Sequence, residues 1–179
     1  MSPSNNPPPT IEYILLGLLH QAPSHGYGLY EKIKGDESLS QIWQIKRSKL
    51  YYLLEKLESQ KLIQSTRISG ENRPARKEYH LTEKGTNAFL SWIETPVKKA
   101  RYVRLVFLAR LYFSLRIGKH HALNLISKQR TLCQTWIESL QTKLNAIDTP
   151  SLIITQAFTF RIGQIQAMLD WLAECETHI

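Results

Sequence analysis

Four consecutive residues, Lys46-Arg47-Ser48-Lys49, place three cations and a hydroxyl at the head of a segment whose apolar residues Leu50, Leu53, Leu54 and Leu57 recur with a helical period. The start of a helix is the positive end of its dipole, so cations gathered there are unfavourable unless an anion faces them. Guanidinium, ammonium and hydroxyl groups in such a turn can hold phosphates and reach the edges of bases. Arg47 and Lys49 are the candidates for base edges, and Lys46 and Ser48 for phosphates. Tyr51 and Tyr52 complete the set on the same helix, although aromatics at helical spacing also serve as core. A second basic group, Arg73, Arg76 and Lys77, falls at the tip of a predicted hairpin whose loop Pro74 stiffens.

The whole chain leans the same way. Its 179 residues carry 23 Lys+Arg against 15 Asp+Glu, a formal net charge of +8, which favours a polyanionic partner such as nucleic acid or an acidic membrane surface. Catalysis has no evident seat: there is no G-x-S-x-G, no phosphate-cradling glycine loop, no HExxH and no spaced carboxylate pair. His120 and His121 are neighbours and point apart on a helix, so no metal and no cofactor is expected. Cys133 and Cys175 stand alone in apolar helical patterns and read as small buried hydrophobes in a reduced compartment. Residues 1–9 lack the charge-then-apolar order of a secretory signal and read as a disordered tail. Val103 to Leu115, the most apolar stretch, is too short for a bilayer and is broken by Arg104 and Arg110. A soluble, cytoplasmic protein with no membrane association is expected.

The elements that must position the basic groups follow from periodicity and punctuation. Thr10 is a plausible N-cap for a helix carrying Ile14, Leu15, Leu18 and Leu19 on one face, which Pro23 ends. After a His25-Gly26 turn, Tyr27, Leu29, Tyr30 and Ile33 form a second helix that Gly35 closes. A polar interval, Asp36 to Ser40, precedes the amphipathic third helix, Lys46 to about Lys61. Leu62 to Ile68 is extended, Gly70 to Pro74 is turn chemistry, and Lys77 to Leu81 alternates as a strand. Thr82 caps a fourth helix bearing Ala88, Phe89, Trp92 and Ile93. This order is the winged helix-turn-helix plan, in which the third helix enters the major groove of double-stranded DNA and the two-stranded wing touches backbone or minor groove.

Past Pro96 the pattern is helical to the end. The expected division is residues 1–9 as tail, 10–95 as winged-helix domain and 96–179 as a helical dimerisation domain, so the fold class is mainly α. Arg101 to Arg116 reads as one helix covered on several sides, with Gly118 as its break. Leu123, Ile126, Cys133, Ile137, Leu140 and Leu144 step by three and four with Arg130 intervening, and Phe158, Ile165 and Leu172 continue the stripe on a last helix after Pro150. Such stripes predict a homodimer. Trp92, Trp136 and Trp171 are candidates for a pocket that stacks a small aromatic effector, with core packing as the alternative. Residues 96–147 hold ten Lys+Arg against Glu138 alone, which either extends a DNA-facing surface or solvates a face.

Several of these stretches together resemble the PadR family of bacterial transcriptional regulators: Ile14-Leu15-Leu16-Gly17-Leu18-Leu19, His25-Gly26-Tyr27-Gly28-Leu29, Leu50-Tyr51 with Leu57-Glu58 behind it, and Tyr79-His80-Leu81-Thr82-Glu83-Lys84-Gly85. They span residues 11 to 93 in the family's order. The resemblance implies a homodimer on an inverted-repeat operator, usually a repressor, sometimes released by a small aromatic or drug-like ligand, with Tyr51 on the DNA backbone. Where the family usually has a small Gly-Ser/Thr pair before its Leu-Tyr and a Pro after, this chain has Ser48-Lys49 and Tyr52. The alternative reading is a winged-helix module that binds a protein partner without specific DNA binding.

Overall fold

The computed structural model describes residues 10–70 and 73–179. The tail expected over residues 1–9 and residues 71 and 72 of the expected turn lie outside the described residues. The fold divides into two units, one reaching Ile93 and taking in Leu108–Phe113, the other formed by Glu94–Phe107 and Ser114–Ile179.

In the first unit, α1 (Thr10–Gln21) buries every residue from Ile14 to Leu19. The expected single apolar face is therefore too narrow: this helix touches α5, β3 and α4 and is covered all round. The strand β1 (Ser24–His25) stands where a turn was expected and pairs with Tyr79 and Glu78, so the sheet has three strands in the order β1-β3-β2. α2 (Gly26–Gly35) follows. The polar interval after it holds a further helix, α3 (Glu37–Ile42), because Asp36 Oδ1 accepts the Leu39 N–H at 2.9 Å and Leu39 is fully buried.

α4 (Arg47–Ser59) buries Leu50, Leu53, Leu54 and Leu57, each stabilising the unit by about 1.5–3 kcal/mol. Its end is a Schellman turn: Lys61 takes the left-handed conformation (φ 59°), Leu62 N–H donates to Leu57 O and Lys61 N–H to Glu58 O. β2 (Ile63–Gly70) and β3 (Arg73–Leu81) pair antiparallel from Ile63↔Leu81 to Gly70↔Arg73, with an irregularity between Ile68 and Gly70. Both strands are longer than expected, and Arg73 and Pro74 fall inside β3 rather than in a turn.

Thr82 caps α5 (Glu83–Ile93) as expected, its Oγ1 accepting the Gly85 N–H at 3.0 Å. Gly85 is required here, since a Cβ at that position would stand 2.0 Å from the Leu62 carbonyl oxygen. Phe89 meets Phe113 edge-on at 5.5 Å, and Trp92 stacks on Tyr13 at 5.0 Å.

The helix expected over Arg101 to Arg116 is irregular, its residues Leu108–Phe113 belonging to the first unit and the rest to the second. A 3-10 turn (Ala100–Tyr102) and a wide π turn (Val103–Phe107) precede α6 (Leu108–Ile117). α7 (Lys119–Asn145) and α8 (Leu152–His178) then pack as an antiparallel hairpin in which Arg130 pairs with Glu176. Gln129, fully buried, clamps the backbone of Val97, its Oε1 accepting the N–H at 2.8 Å and its Nε2 donating to the carbonyl at 3.3 Å.

The stripe expected to meet a second subunit is partly consumed here. Ile126, Cys133, Leu140, Ile165 and Leu172 are buried within the unit, and Leu123, Ile137, Leu144 and Phe158 are half-buried. The buried polar member of α7 is Gln129 rather than its neighbour Arg130: the inner face keeps Ile126, Cys133 and Leu140 of the expected seam but takes Ala122 and Gln129 in place of Leu123 and Arg130.

Candidate nucleic-acid interface

The leucine face of α4 turns its other face outward, and all six sequence-derived candidates, Lys46, Arg47, Ser48, Lys49, Tyr51 and Tyr52, are exposed there. Lys46 is the N-cap rather than a helical residue; it is extended (φ −76°, ψ 143°) and offers no side-chain acceptor to the first turn. An uncapped helix start flanked by cations combines free N–H groups with positive charge, the two features that hold a phosphate.

Two contacts shape this surface that the sequence pattern had not singled out. The Arg47 guanidinium lies over the rings of Tyr27 and Tyr30 from α2, 5.3 and 5.1 Å from their centroids. These cation–π contacts hold the Arg47 side chain against α2 at the head of α4. Lys49 lies 4.6 Å from the centroid of Tyr52. Gly26 makes room for Tyr51: a Cβ there would come within 2.6 Å of Tyr51 Cε1. That close approach explains why a glycine stands after His25 and why Tyr51 points outward beside α2.

The wing is tied to α4 by Glu58. Its Oε1 accepts the Ser65 hydroxyl at 2.5 Å and its Oε2 the Lys77 ammonium at 3.4 Å. The Ser65 hydrogen bond, with the Lys77 charge behind it, holds the Glu58 carboxyl below its ordinary pKa against the opposing effect of burial. Lys77 stands opposite Arg67 across the strands, both exposed, a like-charge pair that Glu58 relieves on one side. Arg67 is a wing cation missed in the sequence; strand register, which pairs it with Lys77, was the signal that would have found it. Arg76 is exposed as expected, whereas the Arg73 side chain lies outside the described residues. Between α4 and the wing is a recess of about 660 Å³, lined among others by Tyr27, Tyr51, Arg76, Lys77 and Tyr79. Burial, then the Glu58 and Glu55 charges, push the Tyr79 phenol upward, so it faces the recess neutral.

The three tryptophans have separate surroundings. Trp92 is a core residue of the first unit, stacked on Tyr13 and carrying the Arg110 guanidinium 5.2 Å from its ring. Trp171 meets Phe107 edge-on at 5.8 Å in the second unit, where Trp136 lines a cleft. Trp92 thus packs inside the first unit. Among the described residues no helix is long and apolar enough to cross a membrane, and no group of three or more His, Cys, Asp and Glu is placed to hold a metal.

A helix-turn-helix whose second helix presents a cationic, uncapped N-terminus, followed by a basic β-hairpin, defines the winged helix-turn-helix class. Residues 15–90 match the transcriptional regulator PadR-like family. A probable transcriptional regulator of Mycobacterium tuberculosis is 28% identical over 88 residues, 49% of this chain and 45% of the relative, so the match spans less than half of that protein. Among solved structures, Bacillus subtilis PadR in complex with operator DNA aligns with a TM-score of 0.49 at 23% identity, over 95% of this chain and 99% of that one. The same protein in complex with p-coumaric acid gives 0.43 at 22% identity, over 94% and 98%. The PadR-like regulator of Bacillus cereus gives 0.45 at 21%, over 98% and 99%.

Proposed function

We propose that this chain is a cytoplasmic, DNA-binding transcriptional regulator that binds an inverted-repeat operator as a homodimer and represses until a small aromatic effector releases it. The observation that carries this reading is the exposed, uncapped cationic start of α4, on the same unit as the exposed Arg67, Arg76 and Lys77 of the wing. With α4 in the major groove, Arg47 and Lys49 meet base edges while Lys46, Ser48 and Tyr51 meet phosphates and Tyr52 flanks them. The wing, Arg73 included, follows the adjacent backbone. Residues 10–95 then do the binding and 96–179 the pairing. Support for pairing comes from α8, where Ile153 and Phe160 stand 76% and 66% exposed and share a helical stripe with the exposed Ala157.

The test is fluorescence anisotropy of an inverted repeat taken from upstream of the protein's own gene, against a scrambled duplex, over a range of salt. A preference of about a thousandfold or more, at two protomers per duplex, is expected, with affinity falling steeply as salt rises. Arg47→Ala with Lys49→Ala weakens binding to the repeat by about thirtyfold or more, at about 1–3 kcal/mol per base contact, while the far-UV spectrum and melting point stay put. Unchanged binding in the double variant would remove α4 from the role assigned to it.

A further inference from the structure

The second unit contains an open cleft of about 490 Å³, inside the size range of small-molecule sites, and its lining is lopsided. Lys98 and Lys99 come from the segment before the 3-10 turn, Arg101 from that turn, Lys143 from α7 and Arg161 from α8, while no carboxylate lines it. All five cations are exposed. Elsewhere the chain pairs cations locally: Lys56 with Glu12, Lys77 with Glu58, and Arg130 with Glu176 on the same two helices. Among the described residues Lys98, Lys99, Lys143 and Arg161 make no ion pair, although Glu94, Glu138, Asp148, Asp170, Glu174 and Glu176 all belong to this unit. Cations lining one cleft with no carboxylate among them repel, and an anion bearing several charges is what offsets that repulsion.

The floor is different in kind. Leu140 and Ile165 are buried, and the half-buried Trp136 presents an indole beside them. Trp136, Leu140 and Lys143 lie on one face of α7, and Arg161 and Ile165 on one face of α8, so the two helices bring an apolar seat and a cationic rim together. Ser139 and Gln164 add neutral hydrogen-bonding groups. A monoanionic aromatic would use one cation of five.

We infer that this cleft binds an aromatic polyanion of the nucleoside di- or triphosphate class, its heterocycle on Trp136 and its phosphates among Lys98, Lys99, Arg101, Lys143 and Arg161. That the bound ligand tunes DNA binding rests on the regulator reading above; the site itself does not. It deepens that reading by giving the effector a place and a charge.

The experiment is calorimetry and tryptophan fluorescence on the full chain at 0.15 M salt, with ATP, adenosine and inorganic triphosphate as probes. ATP is expected to bind once per chain, with adenosine and triphosphate each tenfold or more weaker, since each supplies only half of the chemistry. Lys143→Gln with Arg161→Gln weakens ATP at least tenfold without shifting the melting point, and Trp136→Phe removes the fluorescence quench while calorimetric binding persists. Absent ATP binding, triphosphate binding as tightly as ATP, or a double variant that binds ATP like the parent overturns the proposal. So does a double variant that weakens duplex binding when ATP does not bind, which would make the cleft part of a DNA surface. The anisotropy titration on the same preparation reads the regulator function separately, so either can fail while the other stands.

Discussion

Helix α4 buries four leucines in thirteen residues, whereas α8 buries only Ile165 and Leu172 in twenty-seven. Both carry apolar residues at helical spacing, yet α4 sits inside a unit whose other members are already covered, and α8 leaves Leu152, Ile153 and Phe160 more than half exposed. The spacing of apolar residues makes a helix amphipathic; it does not say whether the chain itself or another molecule covers the stripe. In the first unit the coverage is internal, which leaves the opposite face of α4 to polar chemistry.

The sharpest break in that contrast is a matched truncation. Leu54→Ala, at a fully buried position, is expected to cost about 2–5 kcal/mol, while Leu152→Ala, 73% exposed, changes stability by less than about 0.5 kcal/mol. Urea denaturation of the two variants beside the parent reads both. Equal losses would mean that α8 is as well covered as α4 and would erase the distinction between the units.

Gln129 tests whether the second unit has a comparable interior. Replacing it with Leu leaves the buried Val97 N–H and carbonyl without the partners they have at 2.8 and 3.3 Å, at a cost of about 1–3 kcal/mol. The same denaturation experiment measures it, and a neutral substitution would show that the clamp contributes nothing to stability.

The parts that were legible in the sequence are those where local rules and burial coincide. Leu50, Leu53, Leu54 and Leu57 announced α4 and, by exclusion, its exposed basic face; Thr82 announced a cap that forms. What escaped depended on contacts distant in sequence. Ser24–His25 is a strand only because Tyr79 and Glu78 come alongside, α3 exists because Asp36 caps a buried Leu39, and Arg47 meets Tyr27 and Tyr30 only once α2 and α4 are packed. Likewise no spacing rule distinguishes Gln129 from Arg130 as the inward residue, since both choices keep the seven-residue repeat of Ile126, Cys133 and Leu140 and differ only in which neighbour completes it.

If the open stripe of α8 is where two copies meet, a charge placed on it should separate them. Phe160→Glu, at a position 66% exposed, is expected to weaken self-association at least tenfold, about 1.4 kcal/mol, with little loss of stability in the isolated chain. Sedimentation equilibrium over a range of concentration distinguishes the species. A variant as associated as the parent would take this stripe out of the interface, and a parent that is monomeric throughout would remove the homodimer.

The smallest effect expected lies back in the first unit, where Glu58 joins a helix that is tightly packed to a wing that is not. Because the Ser65 hydroxyl first, and the Lys77 charge after it, lower the Glu58 pKa in the folded chain, the ionised carboxylate is favoured by folding. The sign follows from linkage: a depressed carboxylate contributes stability above its unfolded pKa, about 4.3 for glutamate, and loses it as pH falls through the lower folded value. Lys77 is half exposed and salt screens it, so the contribution at neutral pH is under about 1 kcal/mol. Glu58→Gln should therefore be slightly less stable than the parent at pH 7, with the two curves converging below about pH 4. In the anisotropy assay the same variant should lose a few-fold in duplex affinity, because the wing cations are then held less firmly against α4. A stability difference that persists undiminished at low pH would show that shape rather than charge joins the wing to the helix, and the contrast between a rigid α4 and a tethered wing would have to be drawn on packing alone.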